Sequence, residues 1–166
     1  NMIDYDIIGF ASIALVSLLS LLMALRFKEI VTIIFVALTV RIITILIGHY
    51  IHPLPDSTGD AMTFESLSSG LAADGFFNLI NLYEGPSSQF ISWVIAIPYS
   101  LFGRSLLMAQ SISMFLGIGC IFLAWSLAKK LWDNQTAKKV AWTIALFPSL
   151  ILYSVLVMRE VYFCFF

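Results

Sequence analysis

Read for apolar and polar positions, the chain alternates long oily runs with short charged loops and one long polar insert. The runs Ile7–Leu25, Ile30–Ile51 and Ser105–Leu127 are each close to the roughly 20 residues a helix needs to cross a hydrocarbon core, and Val140–Met158 is adequate as a fourth. Phe90–Phe102, "FISWVIAIPYSLF", is apolar but too short to cross and carries Pro98, so it reads as interfacial or re-entrant. Pro53 and Pro55 close the second run, since proline cannot donate the helical hydrogen bond. Beyond Gly59 the spacing of Phe64, Leu67 and Leu71 predicts a helix of about four turns with one apolar face. It ends near Gly75, a natural left-handed stop, and lies on the membrane surface. The expected architecture is an all-α polytopic membrane protein: about four transmembrane helices in a single domain over residues 1–166, plus an amphipathic interfacial helix in an outer loop at 52–89.

Composition excludes a soluble domain. Hydrophobic residues make up 60% of the chain and charged residues 11%, too little charge to cover a water-exposed surface. The mean hydropathy is +0.96. A net charge of −1 provides no footprint for nucleic acid. Cys120 and Cys164 lie in apolar runs without metal-ligand spacing and read as small core residues. The chain stops at "REVYFCFF", as a new apolar segment begins, so it is expected to be the amino-terminal part of a longer protein.

Charge orients the runs. Arg26 and Lys28 follow the first span, and Lys129, Lys130, Lys138 and Lys139 bracket the loop "KKLWDNQTAKK". The insert from His52 to Gln89 holds Asp56, Asp60, Glu65, Asp74 and Glu84 and no Lys or Arg. By the positive-inside rule the basic loops are cytoplasmic and the acidic insert is outside, provided Phe90–Phe102 does not cross. The amino terminus, with Asp4 and Asp6, is then outside as well, and so is Glu160. The first helix lacks the basic start of a signal peptide and is expected to be retained.

The candidate chemistry lies at that outer rim. Asp60 opens the predicted surface helix, where it reads either as an N-cap or as a functional carboxylate. Asp56, before "ST", allows the same two readings, whereas Glu65, Asp74 and Glu84 read as solvated charges. Glu160 is either an interfacial charge beside Arg159 or a second carboxylate converging on Asp60. Two such acids could activate a hydroxyl or hold a divalent cation such as Mg or Mn. Arg41 sits mid-depth in the second span, at an insertion cost of roughly 2.5–3.5 kcal/mol, and needs a partner or a wet pocket. It reads as a helix-packing residue or as part of a polar substrate pocket. His49 and His52 flank the outer end of that span and read as interfacial residues rather than metal ligands, with His49 a candidate substrate contact.

These residues, in this order, carry a resemblance. An arginine-bearing span followed by "GDAMTFESLSSGLAADG" resembles the first luminal or periplasmic loop of GT-C class glycosyltransferases. "ISWVIAIPYSLFGRSLLMAQSISMFLGIGCIFLAWSLAKKLW" resembles the part of those enzymes between their two acidic loops, and "AKKVAWTIALFPSLILYSVLVMRE" the helix that ends at the second acidic position. The likeness is to the polyprenyl-phosphate-sugar branch, which includes protein O-mannosyltransferases and lipid A aminoarabinose transferases. It runs from Arg41 to Glu160 and rests on order and spacing rather than on a signature. Ala61 and Thr63 stand where the family has acidic or aromatic neighbours, which leaves Phe64 as the aromatic and Asp56 as a competitor.

The resemblance implies transfer of a sugar from a polyprenyl-phosphate donor in the membrane to an acceptor glycan, lipid or protein on the outer face. The expected setting is a bacterial cytoplasmic membrane. Asp60 would be the catalytic carboxylate and Glu160 the second acidic position. Arg104, at the outer boundary before the third run, is a phosphate contact by charge or a snorkelling interfacial arginine. Two other classes compete. A transporter or flippase would need more polar residues within the spans than Arg41 alone, and a non-catalytic assembly subunit would fit a chain complete at this length.

Orientation is open to a direct check. Cysteines placed at Ser69 and Asn134, with Cys120 and Cys164 replaced by alanine, are expected to react with an impermeant thiol reagent from opposite faces. Labelling from one face overturns the orientation.

Overall fold

The computed structural model describes residues 2–73, 75–81, 85 and 89–165, with side chains described from Asp6 onward. Every element in it is a helix: α1 (Met2–Leu25), α2 (Val31–Tyr50), α3 (Asp60–Ala73), α4 (Phe76–Asn81), α5 (Phe90–Phe102), α6 (Leu106–Leu131), α7 (Asn134–Leu146), α8 (Pro148–Val155) and α9 (Arg159–Phe165). Asp74 and Glu84, expected to be solvated, lie outside the described residues, as does the side chain of Asp4.

Three helices, α1 from Asp6, α2 and α6, are long and apolar enough to cross a membrane. Their outward faces carry exposed Ile7, Leu15, Leu18, Leu22 and Phe35, a surface that suits lipid and not water. The apolar run Val140–Met158 is not one helix. Pro148 interrupts it, and Phe147 before it is extended, because proline crowds the helical conformation of its predecessor. The chain breaks again after Val155, and α8 and α9 meet at 106°. A fourth span therefore exists only if this bent pair forms one. α5 matches the predicted segment end for end and, at 13 residues, reaches about 20 Å, well short of a hydrocarbon core.

α6 is the central post. Ser105 caps it by accepting from the Met108 amide, and α1, α2, α7, α8 and α9 all pack on it. Small residues set the close approaches, as is usual for helices packed in lipid. A Cβ at Gly9 would strike Leu107, and one at Gly117 would strike Ser154. Ser12 and Ser111 share a hydrogen bond of 2.6 Å between α1 and α6.

The two ends of the bundle differ in chemistry. At one end Glu29 pairs with Lys129 at 3.0 Å, so the loops that carry the basic residues lie side by side. At the other end α3 lies against α5. Its buried face is Ala61, Phe64, Glu65 and Ser68, rotated from the predicted stripe, and Leu67 is exposed. Ser68 and Ser92 both donate to the Phe64 carbonyl, tying α5 to α3. Gly75 takes the predicted left-handed conformation, φ 84°.

Arg41 joins the pieces in the middle. It is 1% exposed; its Nε donates to Ser154 Oγ at 2.8 Å, and Nη1 donates to the carbonyls of Ala145 (3.0 Å) and Ala37 (3.2 Å). One guanidinium thus fastens α2 to both α7 and α8. Lysine at this position keeps the buried charge but loses the planar fork. Arg41→Lys is expected to lower stability by about 1.5–3 kcal/mol, the worth of a charged hydrogen bond. Arg41→Met removes the desolvation cost along with the bonds and should cost less. Thermal unfolding of the two variants in detergent checks the order; a more stable Arg41→Lys would mean that charge rather than geometry matters here.

Candidate functional site

At the end where α3 lies, a cleft of about 510 Å³ opens between the α2–α3 connection, α3 and the start of α6. Its volume falls in the range of small-molecule sites. Leu54, Met62, Leu106, Leu156 and Val157 make an apolar lining, and its polar groups are few: Asp6, His49, Glu65, Arg104 and Gln110, with the hydroxyls of Ser57, Thr58 and Ser105.

Its best-built feature is an ion pair. Arg104 Nε donates to Glu65 Oε1 at 2.8 Å and Nη2 to Oε2 at 2.6 Å, the parallel two-bond geometry that fixes a guanidinium in orientation. Tyr99 Oη lies within donating distance of Glu65 Oε1 (3.1 Å) and of the Ser105 carbonyl (3.0 Å). Glu65 is 6% exposed, whereas the Arg104 side chain is 59% exposed. The pair therefore has a buried acid as root and a cation presented at the cleft. The bonds to Glu65, and then its charge, hold the Arg104 pKa above the ordinary arginine value. Two edges of the fork are taken; Nη1 makes no hydrogen bond among the described residues.

Glu65 is a correction to the reading of it as a solvated charge. It falls on the buried face of α3, one turn after Ala61 and beside Phe64, and α5 covers it. The signal available was its helical register with the small residues Ala61 and Ser68; the missing fact was the counter-charge 39 residues later.

The other candidates are distributed. His49 lines the cleft, 3.7 Å from Asp6 Oδ1, while His52 turns to its own loop through a 2.7 Å contact with the Pro53 carbonyl. The two histidines share no site. Asp60 begins α3 with a 62% exposed side chain, and its Oδ2 lies 3.6 Å from Arg159 Nη2. It makes no N-cap hydrogen bond among the described residues. It stands next to Ala61, on the cleft wall, but its carboxylate is outside the lining. Asp56 sits exposed in the turn before α3 with φ 62°, a conformation aspartate tolerates better than most residues.

Glu160 does not converge on Asp60. It lines a separate small pocket of about 40 Å³ with Arg41, Gly117, Cys120 and Tyr153, and its Oε2 is buried without a hydrogen-bond partner among the described residues. That space admits water, which the unpaired oxygen and the nearby guanidinium would both bind. The neighbour that does reach Asp60 is Arg159. α9 starts here, and successive residues of a helix point about 100° apart, so one turns to the rim and the next to the core. Arg41 is thus a packing residue with one edge on this small, mostly apolar space, and it does not line the cleft beside α3. The two acids line different spaces or none, Glu160 the small one and Asp60 neither, and no group of three or more His, Cys, Asp and Glu side chains gathers for a metal among the described residues.

Gln110 was not singled out by the sequence. It is 5% exposed, lines the cleft, and its Oε1 is buried without a partner. Its position in an apolar run hid it, since hydropathy averages over single amides.

No family model, curated protein or solved structure matches this chain.

The Glu65 cluster makes stability depend on pH. Burial, and then the adjacent Glu65 carboxylate, raise the Tyr99 pKa well above its ordinary value of 10.0. The folded state keeps a proton that the unfolded chain gives up above pH 10, so this stabilisation is full below that value and is lost as pH rises beyond it. The melting temperature is expected to fall above about pH 10 in wild type and to fall less steeply in Tyr99→Phe. The variant should already be about 0.5–1.5 kcal/mol less stable at pH 8, for its lost hydrogen bond. Equal slopes between pH 9 and 11 would remove Tyr99 from this role.

Proposed function

We propose that the chain is part of a membrane glycosyltransferase that takes a sugar from a polyprenyl-phosphate donor, with the outer cleft as its donor head-group site. One observation carries this reading: the Arg104 guanidinium, held in orientation by buried Glu65 at the mouth of a largely apolar cleft beside membrane-length helices. A lipid-linked phosphate needs a fixed cation at the interface and an apolar path for its tail; Arg104 supplies the first, and Leu106 at the start of α6 with Leu54, Met62, Leu156 and Val157 lines the second. Glu65 offsets part of the arginine's charge, so the phosphate meets a positioned donor more than a bare cation.

In the chemistry that this reading implies, an acceptor hydroxyl attacks the anomeric carbon. The bond from that carbon to the phosphate oxygen breaks, the lipid phosphate leaves, and the hydroxyl proton passes to a carboxylate. Asp60 is the proposed base. Its only ion-pair partner among the described residues is an exposed one at 3.6 Å, a weak tie that an incoming acceptor can replace. Glu160, turned to the interior, supports the wall through the α8–α9 break and has no part in proton transfer. His49 and Asp6 complete the polar rim.

Turnover from a polyprenyl-phosphate sugar, measured in proteoliposomes of the full-length protein, tests the assignment. Asp60→Asn is expected to reduce it by roughly 10²–10⁴-fold, the worth of a positioned general base. Stability should hold, because asparagine suits a helix start as well as aspartate. Asp56→Asn should change little, asparagine being equally at home at positive φ. Loss of activity only at Asp56 would move the base to that residue. No effect at either would remove the glycosyltransferase reading.

A further inference from the structure

Gln110 is a buried polar side chain of the cleft that makes no hydrogen bond among the described residues. It lies near the start of α6, roughly 6 Å along the axis from Leu106 and so on the membrane side of the Arg104 cation. Its polar neighbours on the same helix are all engaged: Ser105 caps the helix, Ser111 bonds Ser12 and the Met108 carbonyl, and Ser113 reaches the Ala109 carbonyl. Gln110 is 5% exposed, with its Oε1 buried and unpartnered. An amide left unpaired in an apolar wall weakens a fold, and native proteins keep such groups where something else uses them. The terminal torsion of glutamine is soft, so a half-turn exchanges its oxygen and nitrogen at the cleft without moving the backbone.

We propose that Gln110 is a specificity-determining residue of the cleft, reading the hydroxyl or amide groups of a bound head group while Arg104 takes its anionic part. This rests on the cleft being a head-group site, and not on the transfer chemistry. An amide is neutral and both donates and accepts, so it suits a sugar hydroxyl or an acylamino group and has no preference for a second charge. The surrounding Leu54, Met62, Leu156 and Val157 make each such bond count, because a hydroxyl brought here without Gln110 would lose its water and gain nothing. The cleft volume of about 510 Å³ has room for a sugar and a phosphate together.

Two simple amphiphiles separate the two recognition elements. Octyl glucoside, below its micellar concentration, carries hydroxyls without charge, and octyl phosphate carries the charge without a sugar. Each is titrated against the full-length protein in phosphatidylcholine nanodiscs, with apparent affinity read from the rise in melting temperature. Gln110→Met, close in size, is expected to bind octyl glucoside roughly 3- to 10-fold more weakly, the fold-change of one lost hydrogen bond, and octyl phosphate as wild type does. Arg104→Gln should show the opposite pattern. Without ligand, Gln110→Met should melt no lower than wild type, since it removes an unpaired amide. Unchanged glucoside affinity, equal weakening for both probes, or a lower ligand-free melting temperature would each overturn the assignment. Wild type binding neither probe would overturn the head-group reading as well. Absence of sugar transfer in a separate assay, with this binding pattern intact, would count against the chemistry alone.

Discussion

A charged side chain at mid-depth in a membrane bundle has to be answered by its neighbours, and the answer to Arg41 organises this protein. Its guanidinium reaches Ala145 at the end of α7 and Ser154 in α8, and so bridges the two helices that Pro148 separates. The geometry requires α8 to approach α6 closely, which Gly117 permits because any side chain there would collide with Ser154. Serine suits its place because it bonds in two directions, accepting from Arg41 and donating to the Ile151 carbonyl. A desolvation cost that would expel a lone arginine becomes a constraint on three helices.

That constraint reaches the cleft rim beside α3 through the break after Val155. With α8 held at Ser154, the extended link places Leu156 and Val157 on the cleft wall, and α9 begins with Arg159 facing Asp60 and Glu160 facing the interior. The rim and the core are therefore only a few residues apart along the chain. Across the cleft a second buried charge plays the matching part, since Glu65, rooted between α3 and α5, aims the Arg104 guanidinium. Each of these ions, one cation and one anion, links helices through hydrogen bonds as well as packing. Gln110 differs from both, because its buried Oε1 has no hydrogen-bond partner among the described residues.

Much of the helical frame was legible in one dimension. α5 begins and ends where its apolar run does, and Gly75 adopts the left-handed turn its position suggested. The demand that Arg41 find partners followed from burial cost alone. Two of the misreadings share one origin. Hydropathy scored Val140–Met158 as a single span and passed over Pro148, and it took Leu67 for a buried residue because alternative helical faces of α3 were almost equally apolar.

What the sequence by itself determined about this protein is therefore what length, apolarity and backbone chemistry dictate: helices throughout, which of them can cross a membrane, and the separation of acidic from basic loops. Those properties are local, fixed within one turn or one run of residues. Only the tertiary structure decided that Glu65 is buried and Glu160 faces the core, that Asp60 meets Arg159, and that Gln110 lines a cleft. Burial of a carboxylate costs less where a counter-charge arrives within hydrogen-bonding reach. For Glu65 that charge lies 39 residues further along the chain, a distance no periodicity spans.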